Sequence, residues 1–183
     1  DAWLRGLAKI PGLADLRQRL VWSSAQQALY LYLDLPVPGP IEIQALRVME
    51  DAFKHSFPAM SQVRVSRLSR VFDIPGASSN ERPVFHYIVE TDPEAGWTEE
   101  IARWYDTEHM TGLASVTGCV RAMRFINHDH GPVSCACYDL VTEDTLGSEA
   151  WLAVRHTDWS SRVRPHFTNT KRTMFERLPH RID

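Results

Sequence analysis

The sequence predicts an α+β protein of two βαββαβ halves, and three observations carry that reading. Residues 83–178 run through strand-like and helix-like patterns in that order. A fainter copy of the order, without its opening strand, occupies residues 1–72. The stretch 73–82 (DIPGASSNER) is polar and rich in turn formers, so it reads as the linker between halves. The predicted organisation is therefore a first half over 1–72, a linker over 73–82, and a second half over 83–183.

In the second half, Pro83–Thr91 is dense in β-branched and aromatic residues and reads as a strand. A turn follows at Asp92–Gly96. Thr98 then leads into a helix with Glu99 and Glu100 in its first turn and an apolar stripe of Ile101, Trp104, Tyr105 and Met110. Gly112 and Gly118 bracket its exit. Cys119–Asn127 alternates as a strand, His128–Pro132 is a turn, and Val133–Val141 is another strand. Ser148 caps one second helix reaching about Val163, with Trp151, Val154 and Trp159 on its apolar side. Thr168–Leu178 is the last strand. This order is the split-βαβ, ferredoxin-like unit.

The first half lies on the second in the same order. Gly6-Leu7-Ala8 matches Gly112-Leu113-Ala114, and Ile10 and Gly12 fall on Val116 and Gly118. Ala14–Val21 sits on the strand near Val120–Asn127, and Ala28–Leu35 on Val133–Leu140. Ile41–Phe57 is the second helix and Val63–Phe72 the last strand. Nothing in the first half corresponds to the strand Pro83–Thr91. Either residues preceding Asp1 or another segment is expected to supply it, because an open sheet edge invites pairing.

Composition narrows the function classes. The net charge is −3 and the basic residues are scattered, so no nucleic-acid footprint is visible. No apolar stretch approaches the roughly 20 residues of a membrane helix. Residues 1–20 are too charged and interrupted for a signal peptide. The three cysteines, Cys119, Cys135 and Cys137, are odd in number and lack zinc-type spacing. They argue for a cytoplasmic protein without a disulfide framework. Cys135 and Cys137 should share one strand face as small buried hydrophobes. His128-Asp129-His130 lies in a turn without a third ligand nearby and reads as solvated loop. No metal site and no cofactor are expected.

One segment resembles a known family. Trp104-Tyr105-Asp106-Thr107-Glu108-His109, then Gly112-Leu113 and Gly118, then Ala122-Met123-Arg124-Phe125, is similar to the dimeric α+β barrel superfamily. It resembles in particular the EthD-like members, the group that includes muconolactone methylisomerase. Their pattern is an aromatic pair, an acidic-His pair ending the first helix, a Pro-Gly turn and a strand carrying an Arg. Here Thr117-Gly118 replaces Pro-Gly, while Ile10-Pro11-Gly12 keeps it. The resemblance implies two sheets packed into a barrel around a pocket, and a homodimer. It also implies one of several chemistries: proton transfer on lactones or polyketides, cofactor-free oxygenation, or haem chemistry. A role as acid/base carries over only to His109.

His109 is the leading candidate, because an imidazole titrating near neutrality suits proton shuttling. A helix-ending His that serves the C-terminal dipole is the competing explanation. The position aligned with His109 in the first half is Trp3, so any such site occurs once per chain. Asp106 is one turn earlier and is expected to orient it. His86, mid-strand among apolar residues, is a second acid/base candidate or a satisfied core His. Arg124 is a candidate for a substrate oxyanion or a structural ion pair, and Arg172 carries the same ambiguity. Tyr138, Tyr105 and Trp104 are candidates to line the substrate, with core packing as the alternative.

The expected function is a cofactor-independent lyase or isomerase acting on a small aromatic or lactone-like molecule in the barrel. The first alternative is a cofactor-free monooxygenase or a haem-binding enzyme. The non-enzymatic alternative is a stress-responsive or ligand-binding barrel with a structural His109.

Overall fold

A computed structural model describes residues 17–23, 25–35, 37 and 39–178. The expected matches at Trp3, Gly6-Leu7-Ala8, Ile10 and Gly12 lie outside the described residues. The strands are β1 (Arg17–Ser23), β2 (Ala28–Asp34), β3 (Leu68–Pro75), β4 (Phe85–Pro93), β5 (Cys119–Asn127), β6 (Ser134–Leu140) and β7 (Phe167–Arg177). The helices are α1 (Ile43–Ser56), α2 (Thr98–Trp104), α3 (Met110–Ala114), α4 (Glu149–Arg155) and α5 (Asp158–Val163). A π-helical turn, Tyr105–His109, joins α2 to α3.

The strands form a curled antiparallel sheet in the order β2-β1-β7-β4-β6-β5-β3. Within it, β7-β4-β6-β5 is the second half's own 4-1-3-2 arrangement. The β5–β6 hairpin follows from alternation on both sides of a Gly-Pro turn, with Ile126 opposite Ser134. β1 and β2 pair in full register from Arg17 opposite Asp34 to Ser23 opposite Ala28.

The halves meet at two equivalent seams. The last strand of the first half, β3, pairs with β5, and the last strand of the second half, β7, pairs with β1. β2 and β3 are the two edges of this half-barrel sheet. No strand lies between them among the described residues. The gap falls where the internal repeat lacks its opening strand.

Strand alternation gives the sheet two distinct faces. Phe85, Tyr87 and Val89 of β4 pack under α2 to α5, in a core with Trp104, Leu113, Tyr138 and Trp151. Ile88 of β4 points to the other face, where Val21, Tyr32, Phe125, Cys135, Cys137 and Phe175 cluster. Cys135 and Cys137 thus share a face, and all three cysteines are buried. α1 covers Leu31 and Leu33 of β2 through Met49 and Phe53.

Several boundaries differ from the sequence reading, and the strand expected from Val63 begins at Leu68. β3 runs on to Pro75, so the segment expected to begin the linker is paired with β5. The helix expected from Ser148 to Val163 is broken at His156-Thr157. Ser148 caps α4 by accepting from the Trp151 amide, and Thr157 caps α5 by accepting from the Ser160 amide. A second N-cap of that kind ends one helix and starts another in a new direction.

Candidate active site

The helix face holds a pocket between the sheet and α2–α4. Its position depends on the π-helical turn. The amide of Met110 bonds the carbonyl of Tyr105, five residues back. The widened turn buries Tyr105, His109 and Met110 together against the sheet. Such single π turns are frequent at functional positions. Tyr87 and Val89 of β4, Tyr138 of β6 and Trp151 of α4 complete the aromatic lining. Gly112 lets α4 approach: a Cβ there would meet Val154 Cγ1 at 2.8 Å. The open space is narrow, about 390 Å³ including solvent at its mouth.

His109 is 8% exposed and lines this pocket. Its ring stacks on Trp104 with centroids 4.1 Å apart, and Tyr105 meets it edge-on at 5.8 Å. Its Nδ1 is buried without a hydrogen-bond partner, as is Trp104 Nε1. Burial first, then the charges of Arg164 and Arg155, push its pKa down to about 3. The ring is therefore a neutral imidazole at physiological pH.

Three guanidinium groups edge the same pocket. Arg155 comes from the end of α4, Arg164 from the turn after α5, and Arg172 from β7. Arg164 donates to the Arg155 carbonyl at 3.3 Å. Burial and the neighbouring positive charges of Arg155 and Arg172 hold Arg164 below the usual arginine range.

The sequence-selected residues divide into three places. Trp104, Tyr105, Tyr138 and His109 line the pocket together. The Tyr138 hydroxyl is directed to Met110 Sδ at 3.2 Å, and burial raises its pKa and that of Tyr105. Asp106 does not orient His109. Its carboxylate accepts from Arg124 Nη2 at 2.9 and 3.2 Å, so Asp106 and Arg124 form a structural ion pair beneath Tyr105. The π turn causes this, because the wider spacing takes Asp106 off the face that carries His109.

His86 lies on the opposite face of the sheet and cannot act with His109 on one substrate. Its Nδ1 is 2.7 Å from Asp139 Oδ1 and its Nε2 is 3.1 Å from the Tyr32 hydroxyl. Arg177 in turn donates to Asp139 at 2.5 Å. Beside this chain, the Tyr30 hydroxyl donates to Glu90 at 2.9 Å and accepts from Lys171 at 3.0 Å. Both networks tie β2 of the first half to strands of the second. Both nitrogens of His86 are engaged, whereas Nδ1 of His109 is not.

The turn His128-Asp129-His130 is likewise spoken for. Asp129 is bonded to Arg67, His128 to Ser69 and His130 to Glu50. No cluster of three or more His, Cys, Asp or Glu suited to a metal exists among the described residues. No helix among the described residues is long and apolar enough to cross a membrane.

Arg155, Arg164 and Trp151 are site residues that spacing did not single out as such. They come from the broken helix, and only the break turns α5 and the following 3₁₀ turn back towards β7.

No protein-family profile and no curated protein matches the chain. Two solved structures are similar in fold. One is a putative monooxygenase from Lactobacillus acidophilus, with 13% identity over 97% of this chain and 83% of that one, at a TM-score of 0.49. The other is an anthrone oxidase-like protein, with 13% identity over 90% of this chain and 77% of that one, at a TM-score of 0.57. At that identity the second likeness speaks to architecture, and it shows that the curled sheet with its helical layer is an α+β barrel fold.

Proposed function

We propose that the chain is a cofactor-free monooxygenase acting on an acidic, electron-rich aromatic molecule, with His109 as its base. The carrying observation is the buried, unpartnered imidazole stacked on Trp104 in an aromatic pocket edged by arginines. His109 is neutral and has a ring nitrogen to offer a substrate, and burial makes it a weaker base than the near-neutral imidazole expected from the sequence. With Nδ1 covered, Nε2 is the atom that meets the substrate. The resemblance of the 104–125 segment to EthD-like proteins supports proton transfer at this position.

The chemistry follows from those groups. His109 takes a proton from a methylene flanked by aryl rings, and the nearby guanidinium groups stabilise the anion. The electron-rich carbanion reduces O₂, and one returned proton gives a hydroperoxide. Loss of water from it leaves a ketone. One substrate and one O₂ thus yield one ketone and one water. The name of the anthrone oxidase-like neighbour supplies the first compound to test. Side-chain movement on binding would widen the narrow pocket.

Oxygen uptake with anthrone, followed alongside quinone absorbance, tests this reading. Equal molar uptake and product formation, enzyme-dependent and absent without oxygen, is the expected result. Turnover of lactone or aromatic substrates that persists without oxygen would instead favour the lyase or isomerase reading.

A further inference from the structure

We infer that the pocket binds aromatic carboxylates in preference to their neutral counterparts, with Arg155, Arg164 and Arg172 forming a clamp for the anionic group. This rests on the pocket assignment above and adds the class of molecule it takes. The three guanidinium groups arrive from separate elements and converge on one small space. None of them has a carboxylate partner among the described residues. Other arginines do: Arg67 pairs with Asp129, Arg121 with Asp73, Arg124 with Asp106, and Arg177 with Asp139. The chain carries 23 acidic residues against 20 basic ones, so the lack of acids here is local.

The neighbouring carboxylates are committed elsewhere. Glu100 accepts from Trp159 and Arg162, and Glu108 accepts from Thr157 at 2.6 Å. Left empty, the clamp holds like charges together: burial first, then the charges of Arg155 and Arg172, lower Arg164. Only an anion relieves that repulsion. A guanidinium fork matches a carboxylate with two parallel hydrogen bonds, and the aromatic walls of Trp104, Tyr87 and Trp151 take the ring. The bound anion also offsets the two arginine charges that help hold His109 unprotonated, so binding raises the basicity of the group that removes the proton.

Isothermal titration with 2-naphthoate and its neutral counterpart 2-naphthol tests the clamp without reference to turnover. The carboxylate is expected to bind at least about tenfold more tightly, which corresponds to roughly 1.4 kcal/mol. Arg155→Gln and Arg164→Gln should each weaken it several-fold. The variant with all three changed to Gln should bind the two probes alike, while Arg162→Gln, outside the pocket, should behave as wild type. Equal affinities in the wild type, no binding of either probe, or naphthoate binding untouched by the triple change would overturn the clamp. His109→Gln separates the two proposals. If it keeps naphthoate binding and keeps full turnover, the base assignment fails and the clamp stands.

Discussion

His109 lies flat on Trp104, ring centroids 4.1 Å apart and planes 22° from parallel, and each ring buries a nitrogen with no partner. An unsatisfied buried polar atom costs about 1–3 kcal/mol. The two rings lie on the wall of a pocket, where the other imidazole nitrogen is left to meet a substrate.

The depressed pKa of His109 sets a pH dependence of stability. In the unfolded chain it takes a proton near 6.5, and in the folded chain only near 3. Between these values the unfolded state binds more protons, so stability falls as pH drops through that window. Above 6.5 both states are neutral and the contribution is constant. His109→Gln removes it. Urea midpoints measured from about pH 7.5 to about pH 4.5 should fall less steeply for the variant than for wild type. Parallel acid limbs would contradict the depressed value.

The network around His86 is expected to hold the halves together rather than to turn over substrate. His86→Gln and Tyr32→Phe should each lower stability by roughly 1–3 kcal/mol, because each leaves a buried partner unsatisfied. Chemical denaturation gives that loss, and turnover of the folded variants should stay within about twofold of wild type.

Gly112 is expected to matter through packing. An added Cβ meets Val154 Cγ1 at 2.8 Å, so Gly112→Ala should cost about 1–3 kcal/mol through overpacking. Val154→Ala on the same chain should recover part of the loss. Strictly additive effects in that double-mutant cycle would show that α3 and α4 do not press together there.

Asp106 and Arg124 should behave as an unequal pair. The Arg124 side chain is 6% exposed and that of Asp106 45%. Asp106→Ala leaves a buried guanidinium without its carboxylate, and a loss of about 1–3 kcal/mol is expected. The pH profile of turnover should not move, because Asp106 does not touch His109. A shifted profile would restore it as an orienting residue.

Much of the architecture was legible in the residues. The β-branched and aromatic density of Pro83–Thr91 and the alternation of Cys119–Asn127 marked β4 and β5, because both signals favour extended backbone over helix. The gap in the repeat left the opening strand of the first half without a sequence counterpart, and β2 and β3 are the edge strands among the described residues. The break at Thr157 was not, because Trp151, Val154 and Trp159 keep a helical stripe across it and a single Thr N-cap is a weak local signal. The site was half legible. His109, Tyr105 and Trp104 are sequence neighbours on one helix, so their grouping followed from position. Asp106 was misjudged because the expectation used α-helical spacing, and a π turn leaves no mark in composition. Arg155 and Arg164 needed the tertiary fold, which brings them to Arg172 from distant parts of the chain.

The central claim is that His109 moves the proton, and chemical rescue tests it most directly. Turnover of anthrone by His109→Ala, with and without added imidazole, should be compared with wild type and His86→Gln. His109→Ala should lose roughly 10²–10⁴-fold in rate, as general-base removal does, and imidazole should restore part of it. Full activity in folded His109→Ala, or a comparable loss in His86→Gln instead, would contradict the assignment of the base to the helix-face pocket.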